Sequence, residues 1–119
     1  MNDTLLIINE FEDIIDVKQI LTQRQDNRIM ELRIRLILID KTILEITEIF
    51  VFDLSKRKYS FQWMEENYDL KIRWDNAPHH RYISTFPHHK HILQEENVQE
   101  SEEPTIEEIL ELIKKKILK

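Results

Sequence analysis

The 119-residue chain contains neither cysteine nor glycine. Without cysteine it can form no disulfide and no thiolate metal site. Without glycine it cannot form the dinucleotide-binding and P-loop motifs, in which glycine lets the backbone approach a phosphate, so the common nucleotide-dependent enzymes are excluded. At positions that need a positive φ we expect asparagine or aspartate, the next most tolerant residues.

Long apolar runs and a signal sequence are missing as well. Runs such as LLII and LILI are far shorter than the roughly 20 residues that a membrane-spanning helix needs. The N-terminus MNDTLLIINEFED has no basic start, which is not typical of a signal peptide. We therefore predict a cytoplasmic protein with no membrane association.

What remains is the composition of one globular domain, predicted to span residues 1–119, with 41% hydrophobic and 34% charged residues. The net charge of −6 hides an uneven distribution. Residues 71–91 carry a balance of +3, with Lys71, Arg73, Arg81 and Lys90 against Asp75, and the other residues carry −9. A basic island on an acidic body indicates a site for an anion.

Alternating apolar and polar residues predict antiparallel strands between residues 29 and 74, as in IMELRIRLILI. With an earlier strand near residues 15–25, we predict an α+β fold: a curved antiparallel sheet of about five meander strands with N- and C-terminal helices packed on it. Asp3 is the predicted cap of the first helix, and Thr105 and Glu108 form a predicted capping box for the last. Residues 75–104 show no sustained periodicity, so the sheet is expected to end at Trp74.

All five histidines lie between residues 79 and 91, and three interpretations of them are open. On an extended backbone His89 and His91 would point the same way, and His79-His80 could add a third metal ligand, although the spacing matches no strong zinc signature. Without a metal, histidines beside arginine and lysine have the chemistry of a ribonuclease, with imidazoles moving protons and a cation holding the phosphate. The third interpretation is a structural loop. Trp74, Tyr82 and Phe86 could likewise stack on bases or belong to the core.

A longer pattern resembles a known family. RWDNAPHH, TFPHHKH, a short ENV segment and EEPTIEEIL, preceded by LEITE at 44–48 and YSFQW at 59–63, resemble the TumE family of toxins from prokaryotic type II toxin–antitoxin modules. The resemblance covers the chain from about residue 30 onward. It implies a toxin that is neutralised by a cognate helix-turn-helix antitoxin and that acts by RNA cleavage. This chain has Arg81 where many relatives have a proline, which loosens the expected geometry of His79 and His80.

Residues and resemblance together predict a metal-independent endoribonuclease with no cofactor and with RNA as its target. A homodimer is left open. The alternatives are a non-enzymatic RNA- or protein-binding regulatory module and a His-ligated metallohydrolase. The candidate catalytic residues are His79, His80, His88, His89, His91, Asp75 and Arg73, and the candidate substrate-binding residues are Arg81, Lys90, Asn76, Trp74 and Tyr59.

Overall fold

The computed structural model describes residues 3–119, which form one seven-stranded antiparallel sheet and two α-helices. The strands are neighbours in chain order, so the sheet is a simple meander. They are β1 (Ile15–Gln25), β2 (Ile29–Leu38), β3 (Ile43–Val51), β4 (Lys56–Met64), β5 (Leu70–Asp75), β6 (His89–Ile92) and β7 (Val98–Glu100); the helices are α1 (Thr4–Asn9) and α2 (Ile106–Ile117).

The predicted α+β class and meander are confirmed, but the predicted number of strands is wrong. β5 continues through Asp75, and two further strands, β6 and β7, follow it within the segment predicted to be aperiodic. Both are short, with four and three residues, and the sequence HKHI carries no apolar–polar alternation. Period-two patterning detects a strand only when one face is apolar, and here the buried face of β6 is made of histidines.

The two faces of the sheet have different environments. On one, which we call the helix-side face, alternate residues of β2 to β5 pack against both helices and form the core. Leu36, Leu44, Trp63 and Trp74 lie on this face. On the other, which we call the open face, β2 and β3 carry charged side chains such as the Arg35–Glu45 pair, joined at 2.7 Å. The aliphatic alternation thus decides which face the helices cover.

The predicted N- and C-terminal helices are both present, and they differ from the prediction in one detail. In α2 the Thr105 hydroxyl accepts the Glu108 N–H at 3.1 Å, and the Glu108 carboxylate accepts the Thr105 N–H at 3.0 Å, so the capping box is present. α1 has only six residues, and the Asp3 side chain makes no capping hydrogen bond. None of the helices among residues 3–119 is long and apolar enough to cross a membrane.

The turns show how the chain manages without glycine. Positive φ angles occur at Lys41 (74°), Ser55 (46°), Tyr68 (73°) and Leu93 (66°) within the described residues. The expectation that asparagine or aspartate would occupy such positions is therefore wrong. In two of the turns the residue before the left-handed position supplies the support instead.

Both supporting side chains accept a backbone hydrogen bond across the left-handed residue. Asp40 Oδ1 accepts the Thr42 N–H at 3.0 Å, and Asn67 Oδ1 accepts the Asp69 N–H at 3.1 Å. Such Asx turns fold the chain locally. The residue between the two partners can then be one that disfavours this conformation by itself.

Candidate functional site

The pairing of β5 with β6 places two sequence pairs opposite each other. Asp75 lies across from His89, and Arg73 lies across from His91. Residues two apart in a strand share a face, so all four side chains meet on the open face of the sheet. The side chains of the Arg-x-Asp and His-x-His segments therefore form one compact group.

Asp75 is the centre of that group. His89 Nε2 lies 3.0 Å from its Oδ1, and His91 Nε2 lies 3.4 Å from its Oδ2. Arg73 Nε donates to Oδ2 at 3.1 Å. The Ala77 N–H donates to Oδ1 at 3.0 Å, which turns the chain out of β5. Since Asp75, His89 and His91 are only 7%, 2% and 4% exposed, these contacts are made away from bulk water.

The opposite ring nitrogens of both histidines are bound to the backbone. His89 Nδ1 lies 2.9 Å from the Pro87 carbonyl oxygen, and His91 Nδ1 lies 2.7 Å from the Glu95 carbonyl oxygen. A carbonyl oxygen only accepts hydrogen bonds, so each Nδ1 carries the proton and donates it. Both rings are held in one orientation, with Nε2 aimed at Asp75.

A third histidine comes from the loop between β5 and β6. The half-buried ring of His80 lies edge-on to His89 and His91, with centroid separations of 4.7 and 5.7 Å. Its Nδ1 is 3.3 Å from the Tyr82 hydroxyl. One nitrogen from each of the three rings lies within 4.8 Å of the others. Below, the Asp–His cluster means Asp75, His80, His89 and His91.

Arg73 connects this cluster to an acidic residue that was not among the predicted site residues. Its guanidinium binds both carboxylate oxygens of Glu95, with Nη1 2.5 Å from Oε1 and Nη2 bonded to Oε2. Burial lowers the pKa of Arg73, but the hydrogen bonds to Glu95 and Asp75 outweigh it and raise that pKa above its ordinary value. The same hydrogen bonds lower the pKa of Glu95. Residues 95–103 (EENVQESEE) form an acidic stretch shortly after the basic island, and this is the sequence signal that could have indicated the pairing.

A second polar contact lies on the helix-side face. The Tyr59 hydroxyl and His88 Nδ1 are 2.8 Å apart, and burial raises the pKa of the Tyr59 phenol well above its ordinary value. Asn76 accepts the Tyr59 N–H at 3.0 Å and donates to the Arg57 carbonyl at 2.8 Å. His88 and His89 therefore point to opposite faces, as neighbours on an extended chain do. Tyr59, Asn76 and His88 thus belong to a separate hydrogen-bonded group at the edge of the site.

The other predicted residues lie outside the cluster. Trp74 is a core residue at 5% exposure, which fits the core interpretation and leaves no ring face for a base. Lys90 pairs with Trp74 in register and so shares the helix-side face. Arg81 is exposed, with its guanidinium 5.7 Å from the Phe86 ring centroid, and His79 is exposed as well.

The structure thus brings together five of the seven catalytic candidates and separates His79 and His88 from them. None of the five substrate-binding candidates has a side chain hydrogen-bonded to the Asp–His cluster within residues 3–119. The arrangement offers fixed imidazoles, one shared carboxylate and one guanidinium. Such a group can bind a cation at its nitrogens or hold an anion at its arginine.

Comparison with known proteins identifies one family. The family model described as Toxin TumE matches residues 4–117, nearly the whole chain. The resemblance seen in the sequence is confirmed, and it extends to the N-terminal third. No curated protein and no solved structure matches this chain.

Proposed function

Because the chain belongs to the TumE family of toxins, we propose that it is the toxin of a type II toxin–antitoxin module and that it cleaves RNA at the Asp–His cluster. The observation that supports this proposal is the convergence of two imidazoles and a guanidinium on one buried carboxylate, with the His80 ring packed against both imidazoles. Structural histidines alone would not need to share a single acid. A cognate helix-turn-helix antitoxin is the proposed neutralising partner.

The charge around the cluster favours an anionic substrate. The cluster lies on the open face, within residues 71–91. Of the basic residues there, Lys90 is on the helix-side face and Lys71 pairs with Glu65 at 3.2 Å. Arg73 and Arg81 are therefore the cations that favour an anion at the cluster. Arg73 is the guanidinium next to it, and its fork geometry suits a phosphate as well as a carboxylate. Glu95 occupies that fork in the free protein. A phosphodiester would take its place, and the exposed Arg81 on the loop would attract the RNA backbone.

The proposed reaction is an internal transesterification. The 2′-oxygen forms a bond to the adjacent phosphorus, and the bond between phosphorus and the 5′-oxygen breaks. A base removes the 2′-hydroxyl proton, an acid gives a proton to the leaving 5′-oxygen, and the products are a 2′,3′-cyclic phosphate and a 5′-hydroxyl.

His80 is the imidazole placed to take part in this proton transfer. It is half-buried and lies on the loop, whereas both nitrogens of His89 and His91 already have partners. Arg73 would stabilise the charge that develops on the phosphorane oxygens. His89 and His91 would hold the site in shape.

An RNA-cleavage assay with tag-free protein, paired with growth inhibition after induced expression, tests the proposal. His80→Ala is expected to lower cleavage by about 100-fold or more, the usual contribution of a positioned acid or base, and to relieve growth inhibition. His79→Ala is the matched control, because this neighbouring histidine is exposed and lies outside the cluster; it should cleave like the wild type.

Two results would decide against the enzyme. One is RNA left intact by folded wild-type protein in every condition, with and without EDTA. The other is full toxicity of His80→Ala together with loss of toxicity in Arg73→Glu and Arg81→Glu. The second pattern follows charge and would favour a non-enzymatic binding module.

A further inference from the structure

The hydrogen bonds that His89 and His91 make through Nδ1 determine what their Nε2 atoms can bind. Each Nδ1 donates its proton to a backbone carbonyl, at 2.9 and 2.7 Å. A neutral imidazole carries only one N–H, so in the neutral form each Nε2 presents a lone pair. Both lone pairs would face Asp75, whose carboxylate also presents only lone pairs. A cation bound between them would contact lone pairs of all three side chains.

A single divalent metal ion would bind these lone pairs with both rings neutral. With metal–ligand bonds of about 2.0–2.1 Å, neighbouring ligands of a tetrahedral ion are about 3.3 Å apart. The observed separations from the Asp75 oxygens to His89 Nε2 and His91 Nε2 are 3.0 and 3.4 Å. The first distance is to Oδ1 and the second to Oδ2, so each histidine and its nearer carboxylate oxygen lie at the spacing of two ligands of one ion.

The backbone contacts of the two rings fit the same interpretation. A metal-bound histidine usually donates its other N–H to a carbonyl or carboxylate, which fixes the ring and its tautomer. His89 and His91 both have this partner, from Pro87 and Glu95. In the same way, Arg73 binds Asp75 from outside, and Glu95 offsets the charge of the guanidinium.

We propose that Asp75, His80, His89 and His91 form a binding site for one divalent transition-metal ion of the zinc class. Three imidazoles and one carboxylate are a ligand set typical of Zn²⁺ and its neighbours rather than of Mg²⁺ or Ca²⁺, which prefer oxygen. His80 completes the set after an inward movement of its loop, since the three ring nitrogens lie within 4.8 Å of one another and neighbouring ligands of a tetrahedral ion are about 3.3 Å apart. The catalytic meaning of the ion rests on the proposed function, but metal binding does not.

The direct test is titration of the tag-free, chelator-treated full chain with Zn²⁺ by isothermal titration calorimetry, with elemental analysis of the dialysed product. We expect one ion per chain and a higher unfolding temperature in its presence. His80→Ala, which removes the most exposed ligand, should weaken binding by about tenfold or more. Asp75→Asn, which keeps the side-chain shape, should also weaken it.

The control is again His79→Ala, which removes a histidine of the same loop and should bind Zn²⁺ like the wild type. Circular dichroism verifies that each variant is folded. The proposal is overturned if the wild type binds no ion, or if His80→Ala and Asp75→Asn bind as tightly as His79→Ala. The latter result would indicate adventitious binding by surface histidines.

The RNA assay separates this proposal from the proposed function. Zn²⁺ binding with no RNA cleavage would support the metal site and refute the nuclease. Cleavage that persists in EDTA, by a chain that binds no Zn²⁺, would support the nuclease and refute the metal site. Cleavage lost in EDTA and restored by Zn²⁺ or Mn²⁺ would support both.

Discussion

Asp75→Ala is the substitution with the largest expected effect on stability at the site. The side chain removed accepts four hydrogen bonds or ion pairs: from His89, from His91, from Arg73 and from the Ala77 N–H. Alanine accepts none of them, and the space it leaves is lined by the Nε2 atoms of His89 and His91, the Arg73 guanidinium and the Ala77 N–H. The perturbation therefore removes the only acid in the Asp–His cluster while its donors stay in place.

The magnitude follows from the burial of those donors. Breaking a buried ion pair by deleting one partner costs about 3–5 kcal/mol, because the other charge stays buried without compensation. Arg73 keeps Glu95 as a partner, so the lower end, about 3 kcal/mol, is the expected loss. A domain of this size unfolds with about 5–15 kcal/mol. Asp75→Ala would thus remove a large share of the stability, and Asp75→Asn, which keeps one acceptor oxygen, should lose less.

Urea unfolding in the presence of EDTA measures this loss without any contribution from bound metal. The fluorescence of the buried Trp63 and Trp74 reports on the sheet, since Trp74 precedes Asp75 in β5. Asp16→Ala on β1 is the matched control, because its side chain is exposed, and its stability should change by less than about 0.5 kcal/mol. A loss below about 1 kcal/mol for Asp75→Ala would refute the view that Asp75 compensates buried positive charge.

Two further predictions concern the turns around the sheet. Lys41→Gly should stabilise the protein by about 0.5–1 kcal/mol, since Lys41 has a φ of 74° that glycine adopts without a Cβ clash. Urea unfolding should show no such gain for Lys41→Ala. Equal free energies of unfolding for the two variants would contradict the argument. The Arg73 hydrogen bonds lower the pKa of Glu95 from 4.5, so its stabilisation is complete above that pH and is lost as the pH falls through the lower folded value. The stability difference between wild type and Glu95→Gln should accordingly shrink below about pH 4.5 in urea unfolding, and a difference independent of pH would exclude the ion pair as its cause.

The sequence was most informative where the physical signal was local. The aliphatic alternation of β2 and the capping box of Thr105 each depend on residues within a few positions of one another, and each is present in the structure. The strand number was wrong because β6 and β7 exist through pairing with β5, a contact between residues far apart in the chain. Short strands with polar buried faces have no periodicity that a single sequence can show.

The candidate site was likewise predictable only in its local features. The residue types and their basic setting were visible in the sequence, as was the common direction of His89 and His91 on an extended backbone. The sequence did not show that Asp75 is the partner of both histidines. Asp75 was considered for acid–base chemistry and left out of the metal-ligand set, because no spacing rule connects it to histidines 14 and 16 positions later.

The register of two strands supplies that connection. Because Asp75 faces His89 and Arg73 faces His91, the geometry favours binding of an ion over proton transfer by these two histidines. In an unpaired loop these histidines would be free to exchange protons with solvent and substrate, which is the basis of the metal-independent mechanism predicted from the sequence. In the sheet, His89 and His91 are buried with their Nδ1 protons committed to carbonyls and their Nε2 atoms committed to one acid. His89 and His91 are thereby better suited to hold an ion than to move a proton. His80, which is half-buried, completes the ligand set when an ion is bound and is otherwise the histidine of the cluster that can meet a substrate.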